Sequence, residues 1–546
     1  MKILRFVLIV ALASLSAISN NSWGRTVAKS DLLYLGAFRV PHHPGFANNS
    51  FVNAQYQPFT YNPYANTLFL GQYNSGPTDT KGLGEFTVVE PIKPSDVGYD
   101  INKLNQAAVV QAPQDISDGN FDRIMKGGEI PGDEAKALLG GLYVYDNKLL
   151  GTAWGYYDAS SAVSYRSHYT ANLKWDQGYG FNGLHAVGLP PVDIVANGGF
   201  VGGYMVAVPQ TYRTLLGYPM LTGRVGGPIV GRSSFGPTVW GFDPNALNFD
   251  DPAPATMFLG YPSDHKTLGD YSDVPSTTFN RSTGVSGVVW PGATDSVLFF
   301  GDLGLGVAYD SSGVPLKNDA GECFGPGTSN RVEAKENSVL KTLGVSSWSC
   351  GYQVMSKADI DAGLSCCFDP VDASTGRHSN EFVVGNGTSC YGPGTRTLME
   401  ARTSEWLQKN TPSGYTCGGY AMSGADIESG NACCFVGTNS TAKGGSSYPS
   451  VHQVWQYDAA DLVAVKNGVK KPWDIMPLVW NFDLPFGSKV RSSAILGVGF
   501  DENSSRLYVA QTFGDGEFPL IHVFELDRNT NRLAKPVILN LNQISQ

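Results

Sequence analysis

The side chains best suited to chemistry are concentrated between residues 154 and 169. Trp154 and Tyr157 are followed by Arg166 and His168, so aromatic rings, a cation and an imidazole occur within fifteen residues. An arginine pairs with a carboxylate through two parallel hydrogen bonds, and a histidine can take the proton next to that carboxylate. The stretch therefore favours binding or lyase chemistry on an acidic glycan. The alternative is a sheet edge with a hydrogen-bonded histidine and structural tyrosines.

Single polar residues elsewhere extend this list. We predict that the catalytic residues are His168, Tyr157, Arg166 and His265, and that the binding residues are Arg232, Trp154, Tyr212 and His452. His265 follows Asp264 directly, and successive side chains diverge, so a capped turn is the alternative for that pair.

Five acidic residues are available for paired-carboxylate chemistry, but the sequence does not select a pair, because the separation in space decides it. They are Glu129, Glu134, Asp302, Asp515 and Glu517. Asp515-Gly516-Glu517 also offers oxygen ligands for Ca²⁺, without EF-hand spacing, and a turn is the alternative. No other cofactor and no metal-ligand set is predicted.

All eight cysteines lie in two copies of one pattern, shifted by 67 positions. Cys323, Cys350, Cys366 and Cys367 recur as Cys390, Cys417, Cys433 and Cys434. An even number of cysteines in an exported chain predicts disulfides. In each copy the first cysteine pairs with either member of the vicinal pair, and the second cysteine takes the other member. Zinc is disfavoured, because the two Cys-x-x-Cys knuckles are missing.

The N-terminus predicts export. Lys2 and Arg5 precede an apolar run from Phe6 to Leu15, with small residues at Ala17 and Ser19, as in a secretory signal peptide spanning 1–19. The run is shorter than the about 20 residues that cross a bilayer. We therefore expect a secreted or periplasmic protein without membrane insertion.

The charge balance argues against nucleic acid as a partner. The chain has 38 basic and 48 acidic residues and a net charge of -10, and no basic cluster occurs. Nucleic-acid binders need clustered lysine and arginine. An extracellular polysaccharide or a surface protein is the expected partner.

Repeated hairpins predict an all-β fold. Apolar strands flank polar turns at 59–71, 141–151, 288–301 and 498–510. At about 40–50 residues per blade, residues 31–320 and 445–546 predict a β-propeller of roughly seven blades. The rival fold is a pair of β-sandwiches, which predicts a linker near the middle; none is seen outside the cysteine region.

The cysteine region, 321–440, reads as an insertion with copies at about 323–369 and 390–436. Disulfides would stabilise it, since its Gly-, Ser- and Thr-rich sequence buries little apolar surface. Short helices are predicted at 133–139, at 332–341 and 399–409, and at 459–465 with Asp458 as a cap.

Several stretches resemble a family of exported bacterial β-propeller-like proteins with no established activity. They are Tyr34–Pro41, Gly231–Pro237, Tyr261–Gly269, Val451–Trp455 and Lys466–Gly468. The resemblance implies architecture and export, and it implies no function. The duplicated cysteine insertion is a departure from that pattern or an expansion of it.

Two functions follow from these observations. The first is a secreted propeller that binds or processes extracellular polysaccharide, with lyase chemistry on acidic glycans as the suggested reaction; its support is fold-level analogy plus the polar residues above. The second is a non-catalytic envelope or surface protein that uses the propeller and the cysteine module as a binding platform.

Overall fold

Antiparallel strands account for most of the regular structure in the computed structural model. The structure describes residues 26–47, 58–71, 82–130, 137–155, 163–188, 198–224, 236–261, 279, 283–292, 294–309, 313–316, 332–335, 341, 344, 346–350, 353–368, 381–385, 398–402, 407–408, 411–417, 420–429, 432–436, 446–485, 494–516 and 518–527. The predicted signal peptide at 1–19 lies outside these residues.

Thirty strands are present in the described residues. In chain order they are β1 (Leu32–Arg39), β2 (Phe59–Asn62), β3 (Thr67–Gly71), β4 (Leu83–Thr87), β5 (Val109–Gln114), β6 (Ala137–Tyr145), β7 (Lys148–Gly155), β8 (His168–Asn172), β9 (Asn182–His185), β10 (Met205–Ala207), β11 (Met220–Thr222), β12 (Val239–Phe242), β13 (Ala255–Leu259), β14 (Gly284–Val289), β15 (Ser296–Tyr309), β16 (Gly313–Leu316), β17 (Val332–Lys335), β18 (Ser347–Cys350), β19 (Gln353–Ser356), β20 (Ser365–Phe368), β21 (Glu381–Gly385), β22 (Leu398–Arg402), β23 (Gly414–Cys417), β24 (Tyr420–Ser423), β25 (Ala432–Val436), β26 (Ser446–Asp458), β27 (Leu478–Asn481), β28 (Ile495–Asp501), β29 (Arg506–Asp515) and β30 (Phe518–Leu526).

The α-helices are short. They are α1 (Gly198–Val201), α2 (Gln210–Leu216), α3 (Lys357–Asp361), α4 (Gly424–Glu428) and α5 (Ala459–Lys466). The predicted helix at 459–465 is confirmed, and the Asp458 carboxylate caps α5 by accepting the Ala460 N–H at 2.8 Å.

Five four-stranded sheets form the blades of a propeller. From the inside outwards they are blade I (β2-β3-β4-β5), blade II (β6-β7-β8-β9), blade III (β10-β11-β12-β13), blade IV (β14-β15-β26-β27) and blade V (β28-β29-β30-β1). The inner strands contact one another in sequence, and β28 of blade V returns to β2 of blade I, so the ring is closed. The expected count of about seven blades is too high for the described residues, which hold five.

The core lies between the blades. Buried apolar clusters join neighbouring sheets, and one of them combines residues of blades II, III and IV. Between blades IV and V, for example, Phe300 and Val454 pack with Ile495, Val509 and Phe524. Burying both faces of each sheet against its neighbours explains why the strands are almost continuously apolar, without the alternation of a sheet that has one face in water.

The predicted hairpins at 59–71, 141–151, 288–301 and 498–510 are confirmed as the first two strands of blades I, II, IV and V. Between β6 and β7 the turn residues Asp146 and Asn147 have φ of 46° and 57°. This is the left-handed conformation that two-residue hairpin turns require and that Asp and Asn tolerate.

The N-terminal strand closes the ring. β1 pairs antiparallel with β30, from Leu32 opposite Leu526 to Arg39 opposite Leu520. The outer strand of blade V thus comes from the opposite end of the chain to its three inner strands. The register shifts between Tyr34 and Gly36.

The cysteine region repeats its backbone as well as its sequence. The sheet β16-β20-β17 and the hairpin β18-β19 return as β21-β25-β22 and β23-β24. Helix α3 begins with a capping box between Ser356 and Asp359, and α4 repeats it with Ser423 and Asp426. The side chains of the cysteines lie outside the described residues, so their pairing stays a prediction.

The helix predictions at 332–341 and 399–409 are wrong at their starts, although Lys341 and residues 407–408 are helical, and the prediction at 133–139 is wrong over 137–139. β17 and β22 occupy the starts of 332–341 and 399–409, and both pair with the strands that carry the vicinal cysteines. Residues 137–139 belong to β6 of blade II. In all three places strand pairing overrides the local helical preference.

Candidate functional site

The predicted catalytic histidine, His168, is fully buried between blades II and III. Thr222 donates its hydroxyl proton to the Val201 carbonyl at 2.7 Å, so its oxygen accepts from His168 Nε2 at 3.0 Å. Ser167 then donates to Nδ1 at 2.9 Å. Burial, with a smaller contribution from His185, lowers the pKa of His168 to about 3. The imidazole is neutral and joins two blades.

The other residues of that stretch are not gathered around His168 at a common surface. Trp154, on β7 of blade II, is 3% exposed and belongs to a buried cluster with residues of blades III and IV. Arg166 is half-buried, and its guanidinium carbon lies 5.9 Å from the centre of the Phe249 ring. Tyr157 falls outside the described residues.

Tyr212 also has a structural position. It lies on α2, and its hydroxyl donates to Asp295 Oδ1 at 2.5 Å, which joins blades III and IV. Burial and the hydrogen bond to Asp295 raise the pKa of Tyr212 far above its usual value. Arg232 and His265 fall outside the described residues.

His452, predicted as a binding residue, forms a dyad with Asp302. The two lie opposite each other on β26 and β15 in blade IV, and His452 Nδ1 is 2.5 Å from Asp302 Oδ1. The other carboxylate oxygen accepts the Ile495 N–H of blade V at 3.0 Å. The Ile495 N–H therefore helps to fix the carboxylate, and the carboxylate fixes the imidazole.

The dyad reaches the surface. The side chains of His452 and Asp302 are 15% and 11% exposed. Asp302 pairs with Gly284, the first residue of β14, and Ile495 is the first residue of β28. The dyad thus lies at the end of the ring where the inner strands begin, which we call the entry face.

The hydrogen bonds assign the proton positions. An ionised carboxylate only accepts, so Nδ1 of His452 carries the proton and Nε2 carries the lone pair. No hydrogen bond to Nε2 is found among the described residues. This arrangement, a histidine oriented by a carboxylate with one open nitrogen, is that of a general base.

A second histidine lies behind the dyad. His522 is fully buried on β30; its Nε2 donates to Gln511 Oε1 at 2.7 Å, and Tyr34 donates to its Nδ1 at 3.1 Å. Burial, with a smaller contribution from nearby His452, lowers the pKa of His522 to about 3. The buried imidazole therefore stays neutral, whereas the side chain of His452 is partly exposed.

The suggested calcium ligands are otherwise engaged or undescribed. Asp515 bonds to Arg39 and His42, and Glu517 lies outside the described residues. Across the described part of the chain, no group of three or more His, Cys, Asp or Glu side chains is arranged to hold a metal ion.

The sequence missed most of this site. Asp302 was one of five acidic residues from which the sequence could not select a catalytic pair. Gln511, His522 and Ile495 were not singled out. The dyad residues are 150 positions apart, separated by the cysteine module. The available signal was the strand register between β15 and β26, which sequence alone does not provide.

Comparisons with known proteins add no function. No family model matches the chain, and no curated protein matches it. Among solved structures, the chain is similar to the Dos1 propeller, with 9% identity, 91% of this chain and 96% of that chain covered, and a TM-score of 0.22. It is also similar to Drosophila Semaphorin 2a, with 10% identity, 92% of this chain and 76% of that chain covered, and a TM-score of 0.24. At these TM-scores neither similarity supports an argument, and the propeller assignment rests on the ring of sheets itself.

The search for membrane-crossing helices was negative for the described residues, since none of the helices there has the length and apolar character that a bilayer requires.

Proposed function

We propose that this protein is exported and binds and processes an extracellular polysaccharide at the entry face of the propeller, by lyase chemistry on an acidic glycan. The observation that carries the proposal is the Asp302–His452 dyad, whose Nε2 has no partner among the described residues. This replaces His168 as the base, because His168 is sealed between two blades.

The chemistry assigned to the dyad is β-elimination. His452 Nε2 takes the proton from the carbon beside the uronate carboxylate. The electron pair of that C–H bond forms a C=C bond while the glycosidic C–O bond breaks, and the leaving oxygen takes a proton from water. The Asp302 carboxylate stabilises the imidazolium that forms, as the aspartate does in a Ser-His-Asp triad.

The first prediction is product formation on uronate polymers. We expect wild-type protein to release unsaturated, ultraviolet-absorbing products, and His452→Gln to lower kcat/KM by about 100-fold or more, the usual contribution of a general base. His43→Gln is the matched control: among the described residues its ring accepts the Gly45 N–H at 3.1 Å, which a glutamine oxygen can also accept. Absence of product across a broad panel of uronate polymers, or an unimpaired His452→Gln, would overturn the proposal.

A second function is favoured by the duplicated module. Its two copies share their strands, hairpin and capped helix, and they are inserted between β15 and β26, the strands that carry the dyad. The second candidate function is therefore a binding platform. It predicts that the chain binds polysaccharide or a surface protein without forming product. It also predicts that deletion of 323–440 removes this binding while the propeller stays folded.

A further inference from the structure

A second polar cluster lies at the entry face, on blade V. It consists of Arg39 at the end of β1, His42 just beyond it, and Asp515 at the end of β29. Arg39 Nε donates to Asp515 Oδ2 at 2.7 Å, and His42 Nε2 lies 2.6 Å from the same oxygen. Two potential cations therefore share one carboxylate oxygen.

The cluster is held in place from below. The imidazole of His42 stacks on Phe518, with ring centres 4.4 Å apart and planes 12° apart. Arg39 Nη2 lies 3.0 Å from His42 Nε2, so the guanidinium and the imidazole are in contact. The side chains become less buried from Asp515 at 8% exposed, through Arg39 at 13%, to His42 at 39%.

Donors are left over on the two basic side chains. Asp515 engages Nε of Arg39, while Nη1 has no partner among the described residues. Nδ1 of His42 likewise has none there. When the imidazole is protonated, two positive charges face the one negative charge of Asp515, whereas the overall charge of the protein is -10.

We propose that Arg39 and His42 form a subsite for an oxyanion group of a glycan, either a uronate carboxylate or a sulfate ester. Nη1 of Arg39 and Nδ1–H of His42 donate to the oxyanion, as guanidinium and imidazolium groups do in charge-assisted hydrogen bonds. Asp515 positions both side chains and does not touch the ligand. The subsite deepens the proposed function and rests on it for the polymeric nature of the ligand.

The position suits a polymer that also reaches the dyad. Gln511, which bonds to His522 behind the dyad, lies on the same strand as Asp515, four positions away. The strand register shifts between these two residues, so at about 3.3 Å per residue they lie at most roughly 13 Å apart. An extended glycan crossing the end of blade V spans that distance, so one residue of the polymer occupies the subsite while another meets His452.

The test is direct binding, measured by calorimetry on the full chain with three polymers: a uronate polymer, a sulfated neutral polymer and an unmodified neutral polymer. We expect binding of one or both anionic polymers, weakened by added salt. His42→Gln should raise Kd about tenfold and Arg39→Gln should raise it further, since hydrogen bonds to charged groups contribute more than neutral ones. Comparing the sulfated polymer with the uronate polymer shows whether the subsite binds a sulfate ester or a carboxylate.

Lys103→Gln serves as the control, because it removes one positive charge from a side chain that is 65% exposed and outside the cluster. His42→Gln keeps the test valid if Arg39→Gln fails to fold. Equal binding of all three polymers, absence of binding, or unchanged Kd in both variants would overturn the subsite. Binding that depends on Arg39 and His42 but gives no product would preserve the subsite and reject the lyase reaction alone.

Discussion

Three histidines show how environment separates residues that look alike in sequence. His168 and His522 are buried and receive hydrogen bonds from hydroxyl groups, whereas His452 is partly exposed and held by a carboxylate. Burial favours the neutral imidazole, and an ionised carboxylate favours the Nδ1–H form with an open Nε2. The residue type was therefore predictable as a candidate, and its role depended on partners far away in sequence.

At this scale the second prediction concerns Asp302→Asn. The asparagine oxygen can keep the Ile495 N–H, which leaves its NH₂ group facing His452 Nδ1. The imidazole must then accept at Nδ1 and carry its proton on Nε2, so the base is lost. We expect kcat to fall about 100-fold or more without loss of the fold.

Nitrogen chemical shifts of His452 give a readout that does not depend on activity. They should report Nδ1–H in wild-type protein and Nε2–H in Asp302→Asn. The double variant Asp302→Asn with His452→Gln should be no worse than His452→Gln alone, because the two residues act as a unit. An unchanged tautomer, or additive losses, would contradict the dyad.

At the level of helices and strands, the sequence predicted the features that depend only on residues close together in the chain. The hairpin turn at Asp146-Asn147 and the cap of α5 by Asp458 follow from residues close in sequence, and both are confirmed. β17 and β22 were expected to be helical, because their sequences contain good helix formers. They are strands because each pairs with a strand about 35 residues further along the chain, information that a local window does not contain.

The third prediction concerns the strand that closes the ring. Gly36 on β1 has φ of 141°, and a Cβ there would lie 2.5 Å from the backbone carbon of Ile92. Gly36→Ala therefore combines an unfavourable φ with a clash against backbone. We expect it to reduce the free energy of unfolding by more than the about 1–3 kcal/mol that a strained residue costs, measured by denaturant titration.

Gly98→Ala is its matched control. Gly98 also has a positive φ, 62°, but nothing lies within 4 Å of a Cβ built there. Gly98→Ala should therefore lower the free energy of unfolding only through the unfavourable backbone conformation, by about 1 kcal/mol. If the two variants lose equal stability, close packing of β1 against Ile92 is not what holds the outer strand of blade V.

For the whole molecule, the sequence indicated a ring of sheets and overestimated the number of blades. The estimate left out the cysteine module, which lies between the second and third strands of blade IV, but it included connections such as the one that carries α2 between the first and second strands of blade III. A division of chain length by a typical blade length treats such connections as if they were strands. Which strands face each other across a blade interface is set by closure of the ring, and that placed His168 in the core and His452 at the entry face.

The ring also links stability to pH through buried imidazoles, among them those of His168 and His522. The pKa of His168 and that of His522 are lowered from 6.5 to about 3 in the folded protein. In the unfolded chain both rings take up protons below about pH 6.5, while the folded protein does so only near pH 3. The unfolded state therefore binds more protons between these values, and stability falls as the pH falls through this window.

The fourth prediction follows from that difference in bound protons. Between pH 7 and pH 5, each of the two histidines should remove about 2 kcal/mol from the free energy of unfolding, because a full one-proton difference is equivalent to about 1.4 kcal/mol per pH unit. Denaturant titrations at both pH values should show this loss, and His168→Gln should halve the loss due to these two residues although it is less stable at pH 7. Lys103→Gln, on the exposed surface, should keep the full slope. A free energy of unfolding that is the same at pH 7 and pH 5 would mean that water reaches these imidazoles, and it would remove the reason for assigning proton transfer to His452 instead of His168.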